Sequence, residues 1–241
     1  MTPPTEQALT ITVDGLTLSG VLHRPPGLPL AVVVGCHGLM ADKQSPKQIE
    51  LAARCTAMGM AYFRFDHRGC GRSQGCFEAD TTLENRRCDL MAAVEAVGRA
   101  LNRNLPVGLF GSSFGGTVCL AAAGDVAPFA LVTLAAPVQS RSIHIPADSP
   151  QSLRSEITTP HLRFDISAAM AAVDHILVVH GDRDETVPVQ NAHTIYDLAQ
   201  EPKKRLILRA ADHRISRRSD QVQFMDAAAH WFKTCYQHRL P

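Results

Sequence analysis

Short apolar runs alternating with helical segments constrain this chain more than any other feature. Residues 31–36, 60–66, 105–110, 129–135, 175–180 and 205–209 each read as a strand, and the run at 31–36 is apolar without a break, as in strands buried on both faces. The intervening segments carry helix signals. Ser45-Pro46-Lys47-Gln48 places an N-cap residue, a first-turn proline and a capping-box partner before a helix that Gly59 closes. Thr81-Thr82-Leu83-Glu84 opens a second helix running to about 103, and helices follow at 114–124, 189–200 and 219–238. Ahead of them, residues 9–14 and 16–23 alternate around Asp14-Gly15, which predicts a hairpin. A hairpin followed by strands alternating with helices predicts an α/β fold: a mostly parallel eight-stranded sheet covered by helices on both faces.

The 241 residues suffice for one α/β domain spanning 1–241. Residues 137–174 break the rhythm, being rich in Pro, Ser and mixed charge without a clear strand, and are expected to form an insertion. A net charge of +1 gives no electrostatic case for a nucleic acid or an anionic membrane as partner. No apolar run reaches the roughly 18 residues of a spanning helix. The opening Met1-Thr2-Pro3-Pro4 lacks the basic start and apolar block of a signal peptide. Seven cysteines without a CxxC pair predict neither a disulfide framework nor a structural zinc site. The expectation is a cytoplasmic protein, monomer or homodimer, with no metal and no cofactor. An aromatic content of 5% argues against a large aromatic binding platform.

Chemistry is concentrated at Gly111-Ser112-Ser113-Phe114-Gly115-Gly116, directly between a predicted strand and a predicted helix. This is the G-x-S-x-G arrangement, in which a sharp turn lifts a serine hydroxyl above the sheet. The positions two before and two after the nucleophile are crowded and must be small. Taking Ser113 as nucleophile places Gly111 and Gly115 there; taking Ser112 would place Phe110 and Phe114 there. Ser113 is therefore the candidate.

A serine needs a base, and the base an orienting acid. Among the later histidines, His193 falls within a predicted helix and His230 and His238 on the last one, whereas His213 sits in the loop between the last strand and the last helix. For the acid, Asp182, Asp184 and Glu185 compete in the loop after the strand at 175–180, with Asp212 a further rival; spacing favours Asp184 only modestly. The backbone N–H of Phe114 and that of Leu39, in Cys36-His37-Gly38-Leu39-Met40, are candidate oxyanion donors, with Met40 one register away. His37 reads as a turn-stabilising side chain. The basic residues 203–205 and Arg214, Arg217 and Arg218 read as solvated loops, although the second group adjoins His213 and could favour anionic acids.

Together, His37-Gly38, Asp66-His67-Arg68-Gly69-Cys70-Gly71-Arg72-Ser73, the segment 111–116, His180-Gly181-Asp182-Arg183-Asp184-Glu185-Thr186-Val187-Pro188 and Ala211-Asp212-His213 resemble the α/β-hydrolase superfamily, in its order and over nearly the whole chain. Within it the chain looks like the compact bacterial carboxylesterases, a group that includes cinnamoyl and feruloyl esterases and serine-aminopeptidase-like hydrolases. The resemblance implies that Asp184, in the HGxxDxxVP pattern, is the acid. It also implies that the Asp66–Ser73 segment is a structural turn, so that Arg68 and Ser73 are not catalytic, and that 137–174 is a short lid. The function so implied is a serine hydrolase acting on a small-molecule carboxylic ester through Ser113, His213 and Asp184. A thioesterase, peptidase or acyltransferase with the same triad is the nearest alternative, and a non-catalytic ligand receptor or scaffold on the same fold is another.

Overall fold

The computed structural model describes residues 4–144 and 160–239. Its eight strands form one sheet in the order β1-β2-β4-β3-β5-β6-β7-β8. The hairpin comprises β1 (Thr5–Val13) and β2 (Leu16–Arg24), paired antiparallel around Asp14-Gly15, both of which have positive φ as a tight hairpin turn requires. The strands β3 (Val32–Cys36), β4 (Ala61–Phe65), β5 (Val107–Ser112), β6 (Ala130–Leu134), β7 (Ile176–Gly181) and β8 (Lys203–Leu208) are mutually parallel.

Helices α1 (Pro46–Ala57), α2 (Phe77–Asp80), α3 (Leu83–Leu101), α4 (Phe114–Ala121), α5 (Ala123–Val126), α6 (Gln190–Leu198) and α7 (Arg218–Gln237) cover both faces. Two cores result. On one face Val32, Val34 and Cys36 of β3 pack with Leu90 and Val97 of α3, Val118 of α4 and Ile195 of α6. On the other, Ala31 and Val33 share a core with Leu51 of α1 and Phe224 and Phe232 of α7. Successive β3 residues thus enter opposite cores, which is why that run contains no polar alternation.

Local signals were met unevenly. Ser45 is the N-cap residue of α1, but its hydroxyl makes no cap hydrogen bond. Gln48, read as its capping-box partner, is buried and accepts instead from the Tyr62 hydroxyl. At α3 the cap is Thr82, whose Oγ1 accepts from the Asn85 N–H at 3.0 Å, and Asn102 in the left-handed region ends the helix. The segment after Ser113 is two helices, not one, with Ala122 between them. Strand β8 begins at Lys203, so residues 203–205 are not a loop. On this edge strand Lys203 and Arg205 lie over the Tyr196 ring and Lys204 over that of Trp231. Charged side chains here guard an unpaired strand edge.

Because β3, β5, β7 and β8 run in parallel, their carboxyl ends open on one rim of the sheet, and the loops carrying Gly38, Ser113, Asp184 and His213 meet there. The chain leaves β3 for β4 on one side and returns to β5 on the other. That change of direction opens a crevice at the strand ends. Of the insertion at 137–174, the described ends contain short 3₁₀ turns at Ser140–Ser142, Pro160–Leu162 and Ser167–Ala172, and a bridge between Gln139 and Asp165. Its centre lies outside the described residues.

Two buried histidines carry a stability signature. His23 Nε2 accepts from Arg64 Nε at 2.8 Å, and His37 Nε2 accepts from the His67 N–H at 3.1 Å while its Nδ1–H donates to the Gly38 carbonyl at 2.7 Å. Each Nε2 lone pair is therefore in use and a proton there would break the bond. Burial first, and then neighbouring cations, push both imidazole pKa values below the ordinary histidine range. Their contribution is intact above the unfolded histidine pKa of about 6.5 and is lost as pH falls toward the lower folded values. Lowering the pH from about 7.5 to 5.5 should therefore reduce the unfolding free energy. Urea melts at the two pH values measure this; a flat profile contradicts it, and His37→Asn or His23→Asn should each shrink the slope.

Candidate active site

Between β5 and α4, Ser113 adopts φ 52° and ψ −125°, a conformation that costs a non-glycine residue about 1–3 kcal/mol. Its N–H donates to the Leu134 carbonyl at 2.7 Å, pinning the turn to β6. A Cβ on Gly111 would lie 2.3 Å from the Gly115 carbonyl oxygen, and one on Gly115 would lie 2.4 Å from that of Cys36. Both flanks of the turn thus exclude any side chain, which is the steric demand that selected Ser113 over Ser112.

Ser113 Oγ lies 3.1 Å from His213 Nε2, and His213 Nδ1 lies 2.8 Å from Asp184 Oδ2. The loops bearing these two residues are zipped together. Asp182 N–H bonds the Leu208 carbonyl, Arg183 N–H the Ala211 carbonyl, and the Ala210 N–H donates to the Asp182 carboxylate at 2.5 Å. Glu185 accepts the His213 N–H at 3.2 Å, and Asp212 accepts the Ser216 N–H at 2.8 Å. The three rival carboxylates are thereby occupied in building the loops, and Asp184 alone of the four hydrogen-bonds the His213 ring.

Asp184 Oδ1 accepts the Thr186 and Val187 N–H groups at 2.9 and 2.7 Å. His180, fully buried at the end of β7, directs Nε2 at the Val187 carbonyl, 2.8 Å, and at Asp184 Oδ2, 3.2 Å. Burial opposes ionisation of Asp184. The hydrogen bonds from His180 and His213, the imidazole charge and the Val187 N–H outweigh it and hold the carboxyl well below the usual carboxylate range.

The loop after β3 is oriented from below. The Gly38 carbonyl accepts from His37 Nδ1 and from Arg86 Nη1 at 3.3 Å, and Arg86 Nη2 donates to the Leu39 carbonyl at 3.1 Å. In a trans peptide C=O and N–H point in opposite directions. The Gly38 carbonyl faces inward, so the Leu39 N–H faces outward, toward the crevice. By the same logic the Ser113 carbonyl, which accepts from Gly116 and Thr117, turns the Phe114 N–H back toward Ser113. Leu39 and Phe114 both line the cavity there; Met40, the alternative donor, lies at its lip, 57% exposed.

Arg86 is the residue that sequence reasoning missed. It is fully buried on α3, and its guanidinium stacks over the Phe114 ring 5.2 Å from the centroid. Nothing in Asn85-Arg86-Arg87 distinguishes it from a surface helix arginine, since its partners Gly38, Leu39, Cys70 and Phe114 all lie on other elements of the fold. His37 and His180, by contrast, stand inside recognisable motifs. Arg68 and Ser73 hold the turn after β4: Arg68 bonds Asp89 and Asp14, and Ser73 Oγ donates to the Asp66 carbonyl.

These groups open into a cavity of about 760 Å³. Phe110, Phe114 and Phe164 line it, and the rings of Phe114 and Phe164 lie 5.5 Å apart. Three of the chain's aromatic residues thus line the cavity, while most of the others belong to the two cores. His193, His230 and His238 lie away from it: His193 bonds Arg205, and the other two are exposed on α7. Among the described residues no His, Cys, Asp and Glu cluster could hold a metal, and no helix is long and apolar enough to cross a membrane. All seven cysteines are free thiols.

An eight-stranded, mostly parallel sheet with a serine raised between β5 and α4 defines the α/β serine hydrolase superfamily. The chain belongs to the Hydrolase_4 family, described as serine aminopeptidase, S33, which matches residues 27–163. It is 28% identical over 230 residues to the protein YfhR of Salmonella typhi, covering 88% of this chain and 76% of that one. It is 26% identical over 210 residues to the mitochondrial palmitoyl-protein thioesterase ABHD10 of Mus musculus, covering 76% of this chain and 69% of that one. Among solved structures, Est1E of Butyrivibrio proteoclasticus with bound ferulic acid shares the fold. Its TM-score is 0.78 at 20% identity, over 94% of this chain and 98% of that one.

Proposed function

We propose that this serine hydrolase cleaves carboxylic esters through an acyl-enzyme on Ser113. The observation that carries the reading is the continuous hydrogen-bonded line Ser113 Oγ–His213–Asp184 beside a cavity that Leu39 and Phe114 also line. His213 Nε2 takes the Ser113 proton as Oγ attacks the ester carbonyl, and the oxyanion is held by the Leu39 and Phe114 N–H groups. The imidazolium then passes its proton to the departing alcohol oxygen. Water, deprotonated by His213, attacks the acyl carbon and releases the acid, restoring the serine. Asp184 remains ionised and fixes the imidazole tautomer with its proton on Nδ1.

Residues 137–174 act in this proposal as a lid. Its described ends support this: the His144 N–H bonds the Thr186 carbonyl at 2.7 Å in the acid loop, and Leu162 and Phe164 line the cavity. Thioester hydrolysis is the second reading, supported by the similarity to a palmitoyl-protein thioesterase. A panel of 4-nitrophenyl esters, acyl-CoA thioesters and aminoacyl anilides separates the readings. Esters should give the highest kcat/KM; negligible ester turnover beside rapid thioester or anilide cleavage would refute the first reading.

Arg86 has a positioning role in this proposal, since it does not line the cavity and reaches the reaction through the Gly38–Leu39 peptide and the Phe114 ring. Arg86→Met removes the side-chain donor of the Leu39 carbonyl and one of the donors of the Gly38 carbonyl, loosening the peptide that carries the Leu39 N–H. The kcat for a 4-nitrophenyl ester should fall roughly 10²-fold, the scale of a lost oxyanion donor, with a much smaller change in KM. An unchanged kcat in folded protein contradicts this role.

A further inference from the structure

The two sides of the cavity differ in chemistry. Leu162, Phe164 and Val187 form an apolar side, whereas Ser45, Lys47, Gln48 and Arg214 bring polar and cationic groups. Neighbouring cations are committed elsewhere: Lys43 to Asp66, Arg217 to Asp220 and Arg218 to Glu50. Lys47 and Arg214 make no ion pair and no side-chain hydrogen bond among the described residues. They are close enough for Arg214 to act on Lys47 electrostatically; burial is the largest influence and lowers the pKa of the Lys47 ammonium, Asp212 comes next and opposes it, and Arg214 adds to the lowering.

The carboxylates in reach each accept a backbone N–H, Asp212 from Ser216 and Glu185 from His213, and Asp212 also attracts Lys47. Two further donors are idle. The Ser45 hydroxyl makes no cap bond, and Gln48 Nε2 has no partner although Gln48 is 1% exposed. Two cations and two idle donors lining one cavity offer charge and hydrogen bonds to an anionic group. The alcohol oxygen of an ester must face His213 Nε2 to receive its proton, and Arg214 follows His213 directly in the chain.

We infer that Lys47 and Arg214 form a subsite for an anionic group, carboxylate or phosphate, carried on the leaving-group side of the ester. The assignment to that side rests on the esterase reading; the anion site does not. Half-burial of Lys47 makes its share less sensitive to salt than that of the exposed Arg214.

The test compares 4-acetoxybenzoate with its neutral methyl ester in the wild type and in Lys47→Gln/Arg214→Gln. The anionic-to-neutral ratio of kcat/KM should fall at least tenfold in the variant, and further in Lys47→Glu/Arg214→Glu. In the wild type it should also fall as NaCl is raised to about 0.5 M, a readout that needs no variant to fold. 4-Acetoxyphenyl phosphate in the same comparison distinguishes the sources, the larger loss identifying the anion preferred. Monophenyl succinate against phenyl pentanoate places the anion on the acyl side, and a tenfold loss there with none for 4-acetoxybenzoate overturns the assignment. Calorimetric binding of 4-hydroxybenzoate provides an arm independent of turnover. Its Kd should rise at least fivefold in the glutamine variant, and equal values in the two proteins overturn the subsite. Absence of wild-type turnover on the neutral esters would count against the esterase reading alone, because the binding arm still decides the subsite.

Discussion

Ser113→Ala should lower kcat for a 4-nitrophenyl ester by roughly 10⁵–10⁶-fold, the scale at which other serine triads lose turnover when the nucleophile is removed. Residual catalysis by the remaining oxyanion donors and binding groups sets the floor. The fold should survive, since among the described residues Ser113 Oγ bonds only His213, and alanine replaces serine at the same positive φ. Ser112→Ala is the internal comparison. Ser112 ends β5 and also borders the cavity, yet neither His213 nor any other base reaches its hydroxyl among the described residues. Its kcat should stay within a few-fold of the wild type. Equal losses in the two variants would contradict the choice between the adjacent serines.

Asp184→Asn should cost about 10⁴-fold in kcat, with KM changed far less. The reason is specific to this loop. Oδ1 of Asp184 is committed to two backbone N–H groups, so an asparagine must keep its carbonyl oxygen there and turn its NH₂ toward His213 Nδ1. Two donors would then face one another unless the imidazole moves its proton to Nε2, where it can no longer accept from Ser113. His180 Nε2 would meet the same NH₂, adding a second mismatch. Asp182→Asn and Asp212→Asn preserve an oxygen for the single N–H that each carboxylate accepts, and should stay within about tenfold of the wild type. A loss for Asp182→Asn as large as that for Asp184→Asn would contradict the assignment. Because the Asp184 carboxyl is held well below the usual range, its protonation should not shape the pH–rate profile at any pH near neutrality.

The parts of this account that rest on local order were legible in the sequence. The buried strands are five or six residues long and mostly apolar, the hairpin turn is Asp14-Gly15, and the turn at Ser113 carries its own steric requirement in Gly111 and Gly115. Spacing alone did not separate Asp184 from Asp182, because both lie in one loop and the decision depends on how that loop is bonded to residues 208–211. The resemblance to α/β-hydrolases pointed to Asp184, and the hydrogen bonds of the loop show how the position is built. Arg86 stayed hidden because it is a charged residue buried by contacts with another part of the chain. Gln48 misled for a related reason: its partner is not the helix that it opens but Tyr62 on β4, and tertiary packing overrode a local cap. Aromatic content did not locate the cavity, since an average over 241 residues carries no information on where three phenylalanines converge. Only the ends of the 137–174 insertion fall within the described residues, so the lid remains part of the proposal.

The central claim is that Ser113 is a nucleophile activated by His213 and Asp184. Intact-protein mass spectrometry after exposure to a fluorophosphonate measures it most directly, followed by peptide mapping. One phosphonyl group should add to each wild-type chain, on the peptide containing Ser113. None should add to Ser113→Ala, and addition to Asp184→Asn should be slowed by orders of magnitude. An unmodified wild-type mass, or a label on any other residue, would contradict the claim.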